Sequence, residues 1–274
     1  MNYRHPGHAF LARYGALKRE EDVYLYVDFL RRSSGLSDEP PIDLSVIYEH
    51  FGIPIPIRAP LDEQQGILID SNTGTILIKE DDPIARQRFT EGHELMELLF
   101  DAHSETTTFS RWSEQRKESL CDQGAADLLM PRSSFIPRLN DLGISFDTAR
   151  SLSETYQTSL LATLVRMIQQ GSDNAALIVW RYSLKPAEHK LNNAEEKLRI
   201  WWRTQTQAWD GGFIPKHKSV SDDSQIYTVY ETGYPYRGRE TIDLGSIQIN
   251  CQIEAIPITI GDQSCVISLL HCCH

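Results

Sequence analysis

Residues 84–100 read IARQRFTEGHELMELLF, and the fold class turns on how this stretch is read. Asp82 can cap a helix and Pro83 suits the first helical position, where a missing N–H costs nothing, so the sequence predicts one long helix here. On that helix His93 and Glu97 stand four residues apart and share a face, which lets both reach one ion. Glu94 is turned from His93 by about 100°. This is the logic of H-E-x-x-H sites, in which two helical side chains hold zinc and the intervening Glu acts as general base. H-E-L-M-E keeps the first ligand and the base but places Glu97 where the second His belongs. A carboxylate reaches zinc at about the same distance as an imidazole, yet its charge weakens the ion's Lewis acidity.

A second helix is expected from about residue 114 to 130, stopped by Pro131. Glu118, Cys121, Ala125, Leu128 and Leu129 recur on it at helical spacing, so Glu118 heads an otherwise apolar stripe. A buried lone carboxylate asks for a cation or a good hydrogen-bond partner, whereas an exposed Glu in a first helical turn needs only the helix dipole. His103 follows His93 at the third-ligand spacing of metzincins, but Phe100 stands where the chain-turning glycine of that pattern belongs. The alternative for His103 is a surface position beyond the helix end.

Working outward, GILID and TILIK flank SNTG over residues 66–79, which predicts a β-hairpin with Asn and Gly in the turn. An edge strand beside the long helix would suit an extended peptide, as would an ordinary covered sheet suit the same sequence. Upstream, residues 21–51 read as two helices parted by SSGLSDEPP; downstream, SFDTARSLSETY and SLLATLVRMIQQ read as two more, the last ended by Gly171. Beyond that point ALIVWRY, IYTVYET, SIQINCQI and SCVISLL are strand-like. NAEEKLRIWWRTQTQAW reads as a helix, with Asn193 as cap and Glu196 closing a capping box. The expectation is an α+β chain: a mostly helical domain with a small antiparallel sheet over residues 1–171, and a C-terminal α+β domain over 172–274.

RQRFTEGHELMELLF followed by ESLCDQGAADLLMP resembles the ImmA/IrrE family of metallopeptidases, whose usual pattern is RFTLAHELGHLLLH followed by ExxANxFAAELLMP. The likeness runs from PIDLSVIYEHFGIPI through the hairpin to TSLLATLVRM, roughly residues 20 to 170. It implies a zincin-like fold and a gluzincin-like site. Position by position, it implies His93, Glu97 and Glu118 as metal ligands and Glu94 as catalytic base. Zinc is the ion implied, although two carboxylates and one imidazole also suit manganese or iron. The substrate implied is a protein, an XRE-type helix-turn-helix repressor, cleaved under stress or mobile-element signals. Among the departures from the pattern, Glu97 replaces histidine, Asp101 stands where a further His is common, Asp122 where Asn is usual, and Gly124 where an aromatic packs. These departures sustain a second reading, a catalytically inactive relative that binds a protein partner through the same groove.

The remaining sequence narrows the field. A net charge of −11 disfavours direct binding to nucleic acid. The helices flanking Tyr156, Gln157 and Thr158 could form a helix-turn-helix, but residues 141–170 hold only Arg150 and Arg166 against Asp141, Asp147 and Glu154. No apolar run is long enough to span a bilayer and no signal-peptide core opens the chain, so a cytoplasmic location is expected. Five cysteines give no even disulfide framework, and Cys272, Cys273 and His274 have poor spacing for a tetrahedral metal. The Trp and Tyr residues after Trp180 suit a binding groove or a small core equally, and a sensor or partner-binding role for that domain follows from the resemblance alone.

Overall fold

The computed structural model describes residues 5–107, 112–188, 194–245 and 247–272 and is α+β. Contacts divide the chain into two compact units, Met1–Pro137 with Ser151–Ala162, and Arg138–Arg150 with Thr163–His274. That division is discontinuous, so residues 138–150 and 163–171 go with the second unit.

The first unit opens with α1 (Pro6–Tyr14), α2 (Glu21–Ser33) and α3 (Leu44–Phe51). Asp43 caps α3 by accepting the Ser45 N–H, and Gly52 ends it in the left-handed conformation, φ 63°. The hairpin forms as expected: β2 (Gly66–Asp70) pairs antiparallel with β3 (Thr75–Lys79), Ile67 opposite Leu77. A three-residue strand, β1 (Ile57–Ala59), adds in parallel to β3, so the small sheet is mixed rather than purely antiparallel. Three residues are too few to show an alternating pattern in sequence. The order β1-β3-β2 leaves β2 on an edge.

Two long helices carry the motifs, α4 (Ile84–Thr106) and α5 (Glu114–Leu129). Pro83 is the N-cap of α4 rather than its first residue, and no side chain caps this end. Asp82 instead pairs with Arg86 at 3.6 Å, while Gln87 Nε2 donates to the Glu80 and Asp82 carbonyls at 3.0 and 2.8 Å. Ser113 caps α5 by accepting the Arg116 N–H. Leu95, Met96, Leu98 and Leu99 of α4 and Leu120, Cys121, Leu128 and Leu129 of α5 share one core with α2 and α3. Each buried Leu contributes on the order of 1.5–3 kcal/mol. Small residues at the crossing draw the helices together: a Cβ on Gly92 would lie 3.3 Å from the Ala125 Cβ. Gly124 is also closely packed, since a Cβ there would meet Met96 Sδ at 2.5 Å and Val23 Cγ1 at 2.9 Å.

After α5 come α6 (Arg132–Leu142), α7 (Phe146–Tyr156) and α8 (Leu160–Gln170). Pro137 inside α6 hides that helix from a sequence reading. The second unit holds an antiparallel sheet of order β5-β4-β8-β7-β6, formed by β4 (Ala175–Ser183), β5 (Lys197–Gln205), β6 (Tyr236–Asp243), β7 (Gln248–Ile260) and β8 (Gln263–Cys272). Two expectations are corrected here. KLRIWWRTQ is strand β5, paired along its length with β4, and Asn193, read as a helix cap, lies outside the described residues. QIYTVYET is helix α9 (Gln225–Thr232), capped by Ser224 and ended by Gly233 at φ 72°. In both segments sheet pairing or capping decides over local propensity. Most of the aromatics are core: Trp180 is fully buried and donates to Ser268 Oγ at 2.7 Å, Trp209 is buried, and Tyr182, Tyr227 and Tyr230 pack against the same cluster. Cys273 and His274 lie outside the described residues.

Candidate metal centre

His93 and Glu97 project from one face of α4 toward α5, as their spacing requires. Among the described residues, one group of His, Cys, Asp or Glu brings its donor atoms together within 4.8 Å: His93, Glu97 and Cys121. His93 Nε2 is 3.8 Å from Glu97 Oε1, and the Cys121 thiol donates to that same oxygen at 3.3 Å. Glu118, expected to sit on a buried face, is 59% exposed, yet its Oε2 lies 3.5 Å from His93 Nε2. The exposed-carboxylate reading of its burial is therefore the one observed. His103 accepts the Leu17 N–H at its Nδ1, 3.4 Å away, and is buried among α4's structural residues; it does not join the cluster. Asp101 instead faces Lys117 Nζ at 3.7 Å.

Asp122 Oδ1 lies 2.9 Å from His93 Nδ1. An ionised carboxylate only accepts, so Nδ1 carries the proton and Nε2 is the nitrogen left to face an ion. Burial lowers the His93 pKa, but the bond to Asp122 and the charges of Asp122, Glu94 and Glu97 outweigh it and raise the net value. Glu97 divides its two oxygens: Oε1 faces His93 and Cys121, while Oε2 takes the Lys117 ammonium at 2.5 Å. Lys117 thus offsets the charge of Glu97.

Glu94, 7% exposed, has its pKa pushed up to about 7, chiefly by burial, with Glu97 and Glu118 adding to the effect against His93 and Lys117. A carboxyl that titrates near neutrality can both take and return a proton. It packs under the edge strand: a Cβ on Gly66 would lie 2.7 Å from Glu94 Oε1 and 2.4 Å from Thr90 Cγ2. Gly66→Val is therefore expected to push β2 and Glu94 apart. The variant should lose about 1–3 kcal/mol of stability in denaturant titrations and more than tenfold in any activity that needs Glu94. Unchanged stability would show that this close approach imposes no constraint.

Residues 49–167 match the family model of the IrrE N-terminal-like domain, in the peptidase M78 group. The matched span contains the small sheet, α4 and α5, so every residue of the centre lies within the segment that is similar to that domain. A Mycobacterium tuberculosis transcriptional regulator is similar in fold, with a TM-score of 0.60 and 13% identity over 99% of this chain and 82% of that one. No curated protein sequence matches the chain. No helix among the described residues is long and apolar enough to cross a membrane.

Three residues of the centre were not legible as such in the sequence. Asp122 and Lys117 acquire their roles through α4–α5 packing, and Cys121 counts in sequence only as one apolar member of a stripe. For Cys121 and Asp122 the available signal was the i+3 and i+4 spacing from Glu118, which puts them one turn further along the same helix; Lys117, adjacent to Glu118, carried no such signal.

Proposed function

We propose that the chain is a cytoplasmic, metal-dependent endopeptidase, with residues 1–171 as its peptidase domain and 172–274 as a sensor or partner-binding domain. The observation that carries this reading is the joint placement of His93 and Glu97 toward α5 with the buried Glu94 beneath an edge strand. The donor set fits a divalent ion: an imidazole whose free nitrogen faces a carboxylate oxygen, with further donors on α5 within a few ångströms. His93 and Glu97 would hold the ion with a third ligand from α5, the place that resemblance assigns to Glu118. Zinc is the ion proposed first, with manganese or iron as alternatives.

When bound, such an ion supplies Lewis acidity toward a water and a carbonyl oxygen. The chain's own part falls to Glu94, which takes a proton from the attacking water and passes it to the departing amine nitrogen. Asp122 fixes the ring of His93. Among the described residues β2 is an edge strand, and its outer edge would offer backbone N–H and C=O groups to an extended substrate segment beside Glu94. The proposed substrate is an XRE-type repressor, and control of transcription would follow from cleaving it, without contact to DNA.

The Glu97–Lys117 pair favours a second reading, in which Lys117 serves permanently where an ion would sit and the domain binds a protein without cutting it. Incubating metal-loaded protein with candidate repressors and mass-analysing the products separates the two. The peptidase reading expects discrete fragments from the wild type and none from Glu94→Gln. Binding of a repressor without fragments, by a protein shown to carry metal, would support the silent relative.

A further inference from the structure

We propose that the third protein ligand of the metal centre is the thiolate of Cys121, giving a His93, Glu97 and Cys121 donor set, with Glu118 left at the mouth of the site. This rests on the metal-centre reading above and revises its α5 ligand. Three observations carry it. Cys121 is wholly buried, so its sulfur is presented from a fixed side chain, whereas the Glu118 carboxylate is 59% exposed. Its Sγ lies 3.3 Å from Glu97 Oε1, the oxygen that also stands 3.8 Å from His93 Nε2. Protein ligands at about 2.0–2.3 Å from a tetrahedral zinc lie roughly 3.3–3.8 Å from one another, so these spacings need little adjustment. Finally, the second oxygen of Glu97 is committed to Lys117, which confines Glu97 to binding through Oε1, on the Cys121 side.

Loading releases one proton from the thiol as the sulfur–metal bond forms, so the exchange is thiol plus divalent ion giving metal thiolate plus a proton. The ligand set has a chemical consequence. Replacing an exposed carboxylate by a thiolate softens the site, so selectivity moves toward zinc and away from manganese, the reverse of what two carboxylates and one imidazole would favour. Three protein ligands also leave one tetrahedral position for water or substrate.

Cobalt(II) is the probe, added to metal-stripped full-length protein under reducing conditions and followed by absorption. The expected result is a strong near-ultraviolet thiolate-to-cobalt charge-transfer band in the wild type and in Glu118→Gln. That band should be absent from Cys121→Ser and Cys121→Ala, with zinc affinity at least tenfold weaker in both. Zinc should also outcompete manganese in the wild type by a larger factor than in Cys121→Ser. Cobalt bound without the band, together with loss of binding in Glu118→Gln, would overturn the assignment and leave the centre with the carboxylate ligand. Failure of the wild type to bind cobalt or zinc at all would remove the metal centre itself, and this inference with it.

Discussion

Glu94→Gln is expected to lower peptide-bond hydrolysis by roughly 10²–10⁴-fold and, in the metal-free protein, to raise stability above neutral pH. Both effects have one cause. Burial raises the Glu94 pKa from its ordinary 4.5 to about 7 in the folded protein. Below the unfolded value both states are protonated and the group contributes nothing. As pH rises from there to the folded value, the unfolded chain ionises first and stability falls. Above the folded value the whole cost is present, on the order of 3 kcal/mol, and glutamine removes it. Urea titrations in the presence of a chelator should therefore find the variant and the wild type alike near about pH 4, and the variant more stable near about pH 8.5. A variant that cleaves as well as the wild type would end the general-base role; one with no stability gain would place the carboxylate in solvent.

Lys117→Met is expected to destabilise the metal-free protein by about 1–3 kcal/mol, because Glu97, only 14% exposed, loses the ammonium that neutralises it. The same change should tighten divalent metal binding on the order of tenfold, since a positive charge no longer opposes the ion. A saturating ion should then return the lost stability, by the ordinary linkage between ligand binding and folding. Calorimetric melting with and without zinc measures both halves. Destabilisation that no divalent ion repairs would mean that Lys117 holds the position permanently, as the silent-relative reading requires.

The elements that were legible in the sequence share a local cause. The hairpin announces itself through β-rich runs around SNTG, and α4 and α5 through helical spacing, and all three appear. What was missed depends on a partner distant in sequence for β5 and on the flanking caps for α9. Strand β5 owes its state to β4 and not to the helix-like KLRIWW run, and α9 owes its own to Ser224 and Gly233 rather than to the alternation of IYTVYET. At the centre, the four-residue spacing of His93 and Glu97 placed both on one face. No spacing within α5 could say that Glu118 would be exposed while Cys121 would touch Glu97, because that depends on how deeply α5 settles against Gly92 and Met96. The acid-rich appearance of the motif was likewise incomplete without Lys117, whose partner stands twenty residues earlier on another helix.

The most direct test of the account is the metal content of protein purified without added metal, compared between the wild type, His93→Ala and Glu97→Ala by elemental mass spectrometry. The account predicts about one equivalent of zinc, manganese or iron per chain in the wild type and loss of that ion in both variants. A wild type that holds no divalent ion, even after incubation with each of the three, would contradict it and leave an acidic, lysine-bridged cluster of His93, Glu97, Glu118 and Lys117 without a metal.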